Sequence, residues 1–447
     1  MSKKYLLGLL ILGTLASCRL GEKYTRPELN LPETIAGVED STSVSEIGWG
    51  ELYRDTVLQR LIRQTLAYNK DMQIAMARIK EMQELRRVSK AELFPRVDVK
   101  IAGQREYDRS PENTYEAKGL LNWELDLWGK IRWGNQAALA DYLATVEGQQ
   151  ALQLSLIADV ARSYFELIAL DQELTIVRQT LSAREESVRL AKLRFEGGLT
   201  SETSLKQAQV ELARTQTLTP ELEKKIRMKE NEIALLAGQY PRPIERGQSL
   251  DRQQLPGSLP VGLPASLLQR RPDIRQAEYR LRQAHAKVGI AFTDMFPKIT
   301  LTGHYGLESS DLGNFLKSPY FFLGGELLEP LFQMGKNKAK LKAAKAVKEQ
   351  EIYAYQKVVL KAFSEVSDAL IESGKNREIR ESRQKLEEAA RAALNLATLQ
   401  YINGIISYLD VLDAQRGYFD ARIGLNSAIR DELLATVQLY KVLGGGL

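Results

Sequence analysis

The chain has 447 residues, of which 27% are charged, with 62 basic against 57 acidic side chains and a net charge of +5. That balance is too mild for a nucleic-acid binder, and no basic stripe interleaved with aromatics occurs. The length alone would suggest several domains, but an internal repeat points to one elongated unit.

Lys3 and Lys4 precede an apolar run from Leu6 to Ala16. The run is about half the length a membrane-spanning helix needs. A positive start, a short apolar core and small residues before a cut describe a secretory signal. Leu15-Ala16-Ser17-Cys18 resembles the bacterial lipobox, in which the cysteine sulfur takes a diacylglycerol and the chain is cut just before it. Cys18 is the only cysteine, so an intrachain disulfide is excluded. A signal cut elsewhere beside an incidental cysteine is the plainer alternative. One acyl chain anchors only marginally, and bacterial lipoproteins typically carry three. Arg19 follows, where an aspartate would signal inner-membrane retention, so outer-membrane sorting is favoured. The expected divisions are 1–17 lipoprotein signal peptide, 18–50 lipidated tether, 51–254 first repeat and 255–447 second repeat.

The repeat shows in paired positions. Asp71 matches Asp273, Ala75 matches Ala277, and Phe94-Pro95 matches Phe296-Pro297, an offset of 273 − 71 = 202. Further on, Gly198 matches Gly404, Ser201 matches Ser407, and Gln209 matches Gln415, an offset of 404 − 198 = 206. Each half reads as a helix ended by Phe-Pro, two strands, a long helix, a Gly-centred turn and a further helix. Strands are expected near 96–107, 115–128, 298–308 and 319–332. Val97, Val99 and Ile101 alternate with Asp98, Lys100 and Ala102, and Ile299, Leu301, Gly303 and Tyr305 continue the theme. The alternation fits a soluble sheet with one wet face or a membrane barrel with a polar interior.

A helix expected from about Gln136 to Phe195 contains no proline and would span about 90 Å. Leu167, Leu170, Leu174, Val177, Leu181 and Val188 keep a 3,4 spacing, with Arg184 in one seat. Leu222, Ile226, Ile233 and Leu236 carry it on past Pro220, which is expected to kink or split the second helix. Such spacing requires partner helices. Four strands cannot close a barrel, and open edges are forbidden in lipid. Strands that enter a membrane must therefore be pooled by several chains.

These features resemble the outer membrane factor, or TolC-like, family over nearly the whole chain, and within it the NodT-like branch of efflux lipoproteins. The quoted markers are "LPASLLQRRPDIRQAE" from Leu263, "WELDLWGKIR" from Trp123, "RFEGGLTS" from Arg194 and "YLDVLDAQR" from Tyr408. The resemblance implies a mainly α homotrimer with a small transmembrane β part. Its 12-stranded shared barrel would take four strands per chain and continue into a long helical coiled-coil tunnel. It implies an exit duct in the outer membrane, meeting a periplasmic adaptor (a membrane fusion protein) and an inner-membrane pump of the proton-driven RND type. The duct would carry drugs or other small toxic compounds and have no reaction of its own. A conduit for type I protein secretion is the alternative within the fold. A periplasmic coiled-coil scaffold is the alternative outside it.

Pro272 suits the first turn of a helix, and Asp273 places negative charge at its positive end. Gly197, Gly198, Leu199, Thr200 and Ser201 should form one hairpin tip, and Gly404 and Ser407 belong to the other. By resemblance both tips face the adaptor. Asp410 and Asp413 lie on one helix face. They are either solvated surface or, by resemblance, carboxylates around a periplasmic pore. The family's latch arginine falls at Ile406 and its acidic partner at Ser204, which leaves a hydrophobic gate of Ile405, Ile406 and Leu409 as the replacement. His285 and His304 lie in different elements, so no metal site or triad is expected. No P-loop is present and no cofactor is implied. Gly444 to Gly446 reads as a flexible tail.

Overall fold

The computed structural model describes residues 20–32, 47–108, 110–253, 255, 264–329 and 333–446. The expected signal peptide, Cys18, residues 33–46 of the tether and the last residues of the expected fourth strand lie outside them. In chain order the elements are α1 (Trp49–Leu52), α2 (Thr56–Tyr68), α3 (Lys70–Ala91), β1 (Arg96–Asp108), β2 (Ser110–Glu124), α4 (Lys130–Glu196), α5 (Glu202–Leu236), α6 (Pro264–Arg270), α7 (Pro272–Thr293), β3 (Lys298–Ser309), β4 (Pro319–Leu328), α8 (Lys336–Ile402) and α9 (Tyr408–Val442). Among the described residues, no helix is long and apolar enough to cross a membrane.

The paired helices of the two halves match in length to the residue. Helices α3 and α7 have 22 residues each, α4 and α8 have 67, and α5 and α9 have 35. At 1.5 Å per residue, 67 residues run for about 100 Å. The extra residues of the second half fall in the connections around its two strands, which have 12 and 10 residues against 13 and 15 in the first.

The four strands form one antiparallel sheet in the order β1-β2-β3-β4. Its central pairing, β2 with β3, joins the two halves. Val97, Val99, Ile101, Tyr305, Phe321 and Leu327 are exposed on one face. The other face carries ion pairs across three strands: Lys100 with Glu116, Glu116 with Lys118, and Lys118 with Glu308. This is the alternation expected of a sheet with unlike faces. Strand β2 begins at Ser110, earlier than expected. Its outer end has β1 alone as a neighbour, and Pro111 sits in that edge stretch, where a residue without an N–H is tolerated. Strand β2 also ends at Glu124, short of the expected 128. Asp126 instead accepts the N–H groups of Ile131 and Arg132, at 2.9 and 3.0 Å, and starts α4.

The chain divides into two compact units, each drawing a piece from both halves. The first holds the sheet, the adjoining helix ends and residues 20–30. There Trp133 is buried and donates its indole N–H to the Leu20 carbonyl at 2.8 Å. Glu278 holds Arg26 at 2.6 Å.

The second unit packs Tyr53, Leu58, Ile62, Phe165, Leu167 and Ile233 into its main core. Asp55 is buried beneath it and caps α2 through Val57 and Leu58. Burial alone would raise its carboxyl, but Gln253, Gln248, Tyr164 and Val57 all donate to it and hold it below the usual value. Pro220 does not split α5, which runs unbroken through it. The missing N–H costs one hydrogen bond, and the buried Leu222 and Ile226 on the following turns keep the helix in register. Pro272 opens α7 and the Asp273 carboxylate accepts the Ile274 N–H at 3.0 Å. Just before it, Arg271 is buried and bonds the Val442 carbonyl at 3.1 Å and Glu365 at 2.7 Å.

The glycine tail is not loose. Gly446 pairs with Gly48 and donates to the Tyr440 hydroxyl at 2.9 Å. A Cβ on Gly446 would lie 2.3 Å from the Ile47 carbonyl oxygen, so the missing side chain is what lets the backbones meet.

Candidate functional site

The tips of both long hairpins lie in the second unit and share one small core. Ala191 of α4, Leu205 and Ala208 of α5, Tyr401 of α8, and Tyr408, Val411 and Leu412 of α9 pack together. The Tyr401 and Tyr408 rings are 5.5 Å apart. The two turns are built alike. Gly198 has φ 71° and Gly404 has φ 76°. Gly198 N–H bonds the Phe195 carbonyl and Leu199 N–H bonds that of Arg194. Gly404 to Tyr401 and Ile405 to Gln400 repeat the pattern. These are the paired bonds of a helix end closed by a left-handed glycine.

The caps that follow differ between the two hairpins. Ser201 stands at the N-cap of α5, yet its side chain makes no capping bond. Ser407 stands at the N-cap of α9, and there Asp410 completes the cap. Its carboxylate accepts the Ser407 N–H at 2.9 Å and the Ser407 hydroxyl at 2.8 Å. Asp410 therefore organises the tip as well as carrying charge. Asp413 is exposed one turn further on. The three gate candidates separate. Ile405 and Leu409 are exposed, at 70% and 56%, while Ile406 packs against the tip core. Gly197, Gly198, Leu199 and Ser201 are exposed and Thr200 is half-buried.

A charged cluster lies behind the tips. Glu211 of α5 is 2% exposed. Arg416 of α9 reaches it at 2.6 Å and Arg184 of α4 at 3.1 Å. Arg184 also donates to the Glu211 carbonyl at 2.6 Å and to Thr215. The cluster ties α9 to the first hairpin, and Gln415 adds a bond to Ser187 at 3.1 Å. Burial pushes the Glu211 carboxyl up, but the Arg416 hydrogen bond and the charges of Arg184, Arg416 and Arg214 outweigh it and hold the carboxyl below its ordinary value. Burial lowers the Arg184 guanidinium, and Glu211 offsets part of that. The signal in the sequence was Arg184 itself, since a cation in an apolar heptad seat requires a buried partner. Nothing in the heptad spacing pointed to Glu211.

His285 and His304 stay in separate elements, and among the described residues no group of acids, histidines and cysteines could hold a metal.

Long paired hairpins joined to a four-stranded sheet define a channel protein of the TolC-like class. Residues 61–239 and 263–445 match the family described as outer membrane efflux protein. The chain belongs to that family. The solvent efflux pump outer membrane protein SrpC of Pseudomonas putida is 35% identical over 409 residues, covering 89% of this chain and 87% of SrpC. SilC of Salmonella typhimurium, named a probable outer membrane lipoprotein, is 29% identical over 100% of this chain and 99% of its own. The open-state MtrE outer membrane channel of Neisseria gonorrhoeae matches with a TM-score of 0.88 at 30% identity, over 96% of this chain and 99% of that one. The protein is an outer-membrane channel component of an efflux pump, and its family and neighbours are channel proteins rather than enzymes.

Proposed function

We propose that three copies of this chain form a passive exit duct, in which 3 × 4 = 12 strands close one barrel. The observation that carries this is the sheet's pair of open edges, β1 and β4. An edge in lipid leaves N–H and C=O groups without partners, at several kcal/mol each, and only other copies can cover both edges alike. The exposed apolar face then meets lipid and the ion-paired face lines the lumen. The hairpin tips meet a periplasmic adaptor, and an inner-membrane pump of the proton-driven type supplies the energy. Cys18 carries the acyl chains that hold the tether to the outer membrane. Asp410 and Asp413, with Ile405 and Leu409, surround the periplasmic entrance. Six carboxylates in one narrow opening favour cations. The cargo is drugs or other small toxic compounds.

The test is the purified protein in detergent. Heat-modifiable particles with threefold symmetry are expected. Particles without it, or a detergent-free soluble monomer, refute the duct. Deleting the gene should raise sensitivity to several toxic compounds at once, and unchanged sensitivity refutes the cargo.

A further inference from the structure

Helix α8 opens with six lysines in 13 residues, Lys336 to Lys348, and meets no acid until Glu349. The first ion pair along α8 among the described residues comes only at Lys361 and Glu365. At 3.6 residues per turn, Lys338, Lys342, Lys345 and Lys348 fall on one side of the helix together with Leu341 and Ile352. Lys336 and Lys340 fall on the other.

The four-lysine side borders a cavity of about 440 Å³ in the first unit. Trp133, Val288, Phe292, Leu341 and Ile352 give it apolar walls, and Gly21 lines it too. Its charged lining is Lys345 and Lys348 against Glu22 and Glu349, the last engaged by the Tyr353 hydroxyl at 3.2 Å. Lys338 and Lys342 add two more cations on the same side. A volume of this size is typical of a ligand site.

The cavity lies close to the strands. Phe292 is six residues before β3, and Leu341 is the sixth residue of α8. On α8 the lining runs from Leu341 to Ile352, about 8 to 24 Å from the start of the helix, so the cavity begins beside the polar layer of a leaflet, roughly 5–7 Å deep, and continues away from it. Residues 20–26 run along the same side, held at Trp133, His285 and Glu278. On the proposed reading, the segment from an acylated Cys18 passes outside the duct, which turns this side to the periplasm and the leaflet.

We infer that this site holds an anionic phospholipid of the periplasmic leaflet, with an acyl chain along the apolar walls, its phosphate against Lys345 and Lys348, and Lys338 and Lys342 adding positive charge on the same side. The inference rests on the strands crossing the membrane. A zwitterionic lipid would fill the apolar walls equally well but would leave the surplus of cations unmatched. Each lysine near such a surface strengthens binding severalfold.

The experiment uses the full-length protein, delipidated in a non-ionic detergent and titrated by native mass spectrometry. The probes are phosphatidylglycerol, phosphatidylethanolamine and glycerophosphoglycerol, which has the headgroup without acyl chains. Phosphatidylglycerol should be retained at least about tenfold better than phosphatidylethanolamine. Lys338→Gln, Lys342→Gln, Lys345→Gln and Lys348→Gln together should abolish that preference. Lys336→Gln with Lys340→Gln should preserve it, and glycerophosphoglycerol should displace nothing. Equal binding of the two lipids overturns the inference. So does an equal loss in the Lys336 and Lys340 pair, or displacement by the bare headgroup. If the fourfold variant does not assemble, Lys345→Gln with Lys348→Gln replaces it under the same criteria. Failure of the duct reading would appear in the same spectra as a lone protomer, whereas failure here appears as lost preference in an intact trimer.

Discussion

Glu211→Ala removes the acid that Arg184, Arg416 and the exposed Arg214 share. Arg184 is 7% exposed at its side chain and Arg416 is 48% exposed. Arg184 and Arg416 should therefore respond differently. Arg184 is left buried without a counter-charge, a loss of about 3–5 kcal/mol for one broken partner of a buried pair. Arg416 turns to solvent and loses no more than about 1 kcal/mol, as exposed pairs do. Arg416→Ala alone should accordingly be mild. Glu211→Leu with Arg184→Leu should lie within about 1 kcal/mol of the parent or above it, because an apolar pair of similar size often replaces a buried ion pair without loss. The assay is urea unfolding of the protein in detergent, read as a double-mutant cycle. Equal destabilisation by Glu211→Ala and Arg416→Ala would refute the assignment of Arg184 as the costly partner. Acid provides a second reading. The folded Glu211 carboxyl is held below its ordinary value. Its contribution is therefore fully present above the ordinary carboxylate range and disappears as pH falls through the lower, folded value. Glu211→Gln should flatten that acid limb of the stability curve, and an unchanged limb would assign it to other carboxylates.

Asp413→Asn should reduce cation selectivity in planar bilayers without loss of stability, whereas Asp410→Ala should also cost about 1 kcal/mol through the Ser407 cap. Selectivity identical to the parent in both variants would remove the entrance ring. Gly446→Val should destabilise by roughly 1–3 kcal/mol, because it forces a side chain into the Ile47 carbonyl. A melting temperature equal to the parent's would contradict that packing. Cys18→Ser should yield a protein whose mass lacks acyl chains and which fractionates less completely with membranes, and an unchanged mass would show that Cys18 carries no lipid.

The repeat was legible because duplicated helices keep their lengths, and two offsets sufficed to expose it. Strand alternation was equally plain, since its period of two leaves one face apolar. The boundaries of β2 were not, because Asp126 alternates correctly for a strand while its carboxylate serves the helix that follows. The tail from Gly444 was misread because glycine signals freedom in a sequence, whereas close approach between backbones appears only in three dimensions. At the tips, the turns and the cap positions could be read from Gly198, Gly404 and the two serines. That only one serine is engaged depends on the third residue of the next helix, Asp410 in one hairpin and Ser204 in the other.

Because the two hairpins agree in length residue for residue and close on the same turn, neither projects beyond the other by virtue of its backbone. What distinguishes them is chemistry: Leu199, Thr200 and an unengaged Ser201 on one, and Ile405, Ile406 and a serine clasped by Asp410 on the other. A protein docking there finds two matched sockets with different linings, and must choose between them by side chain alone.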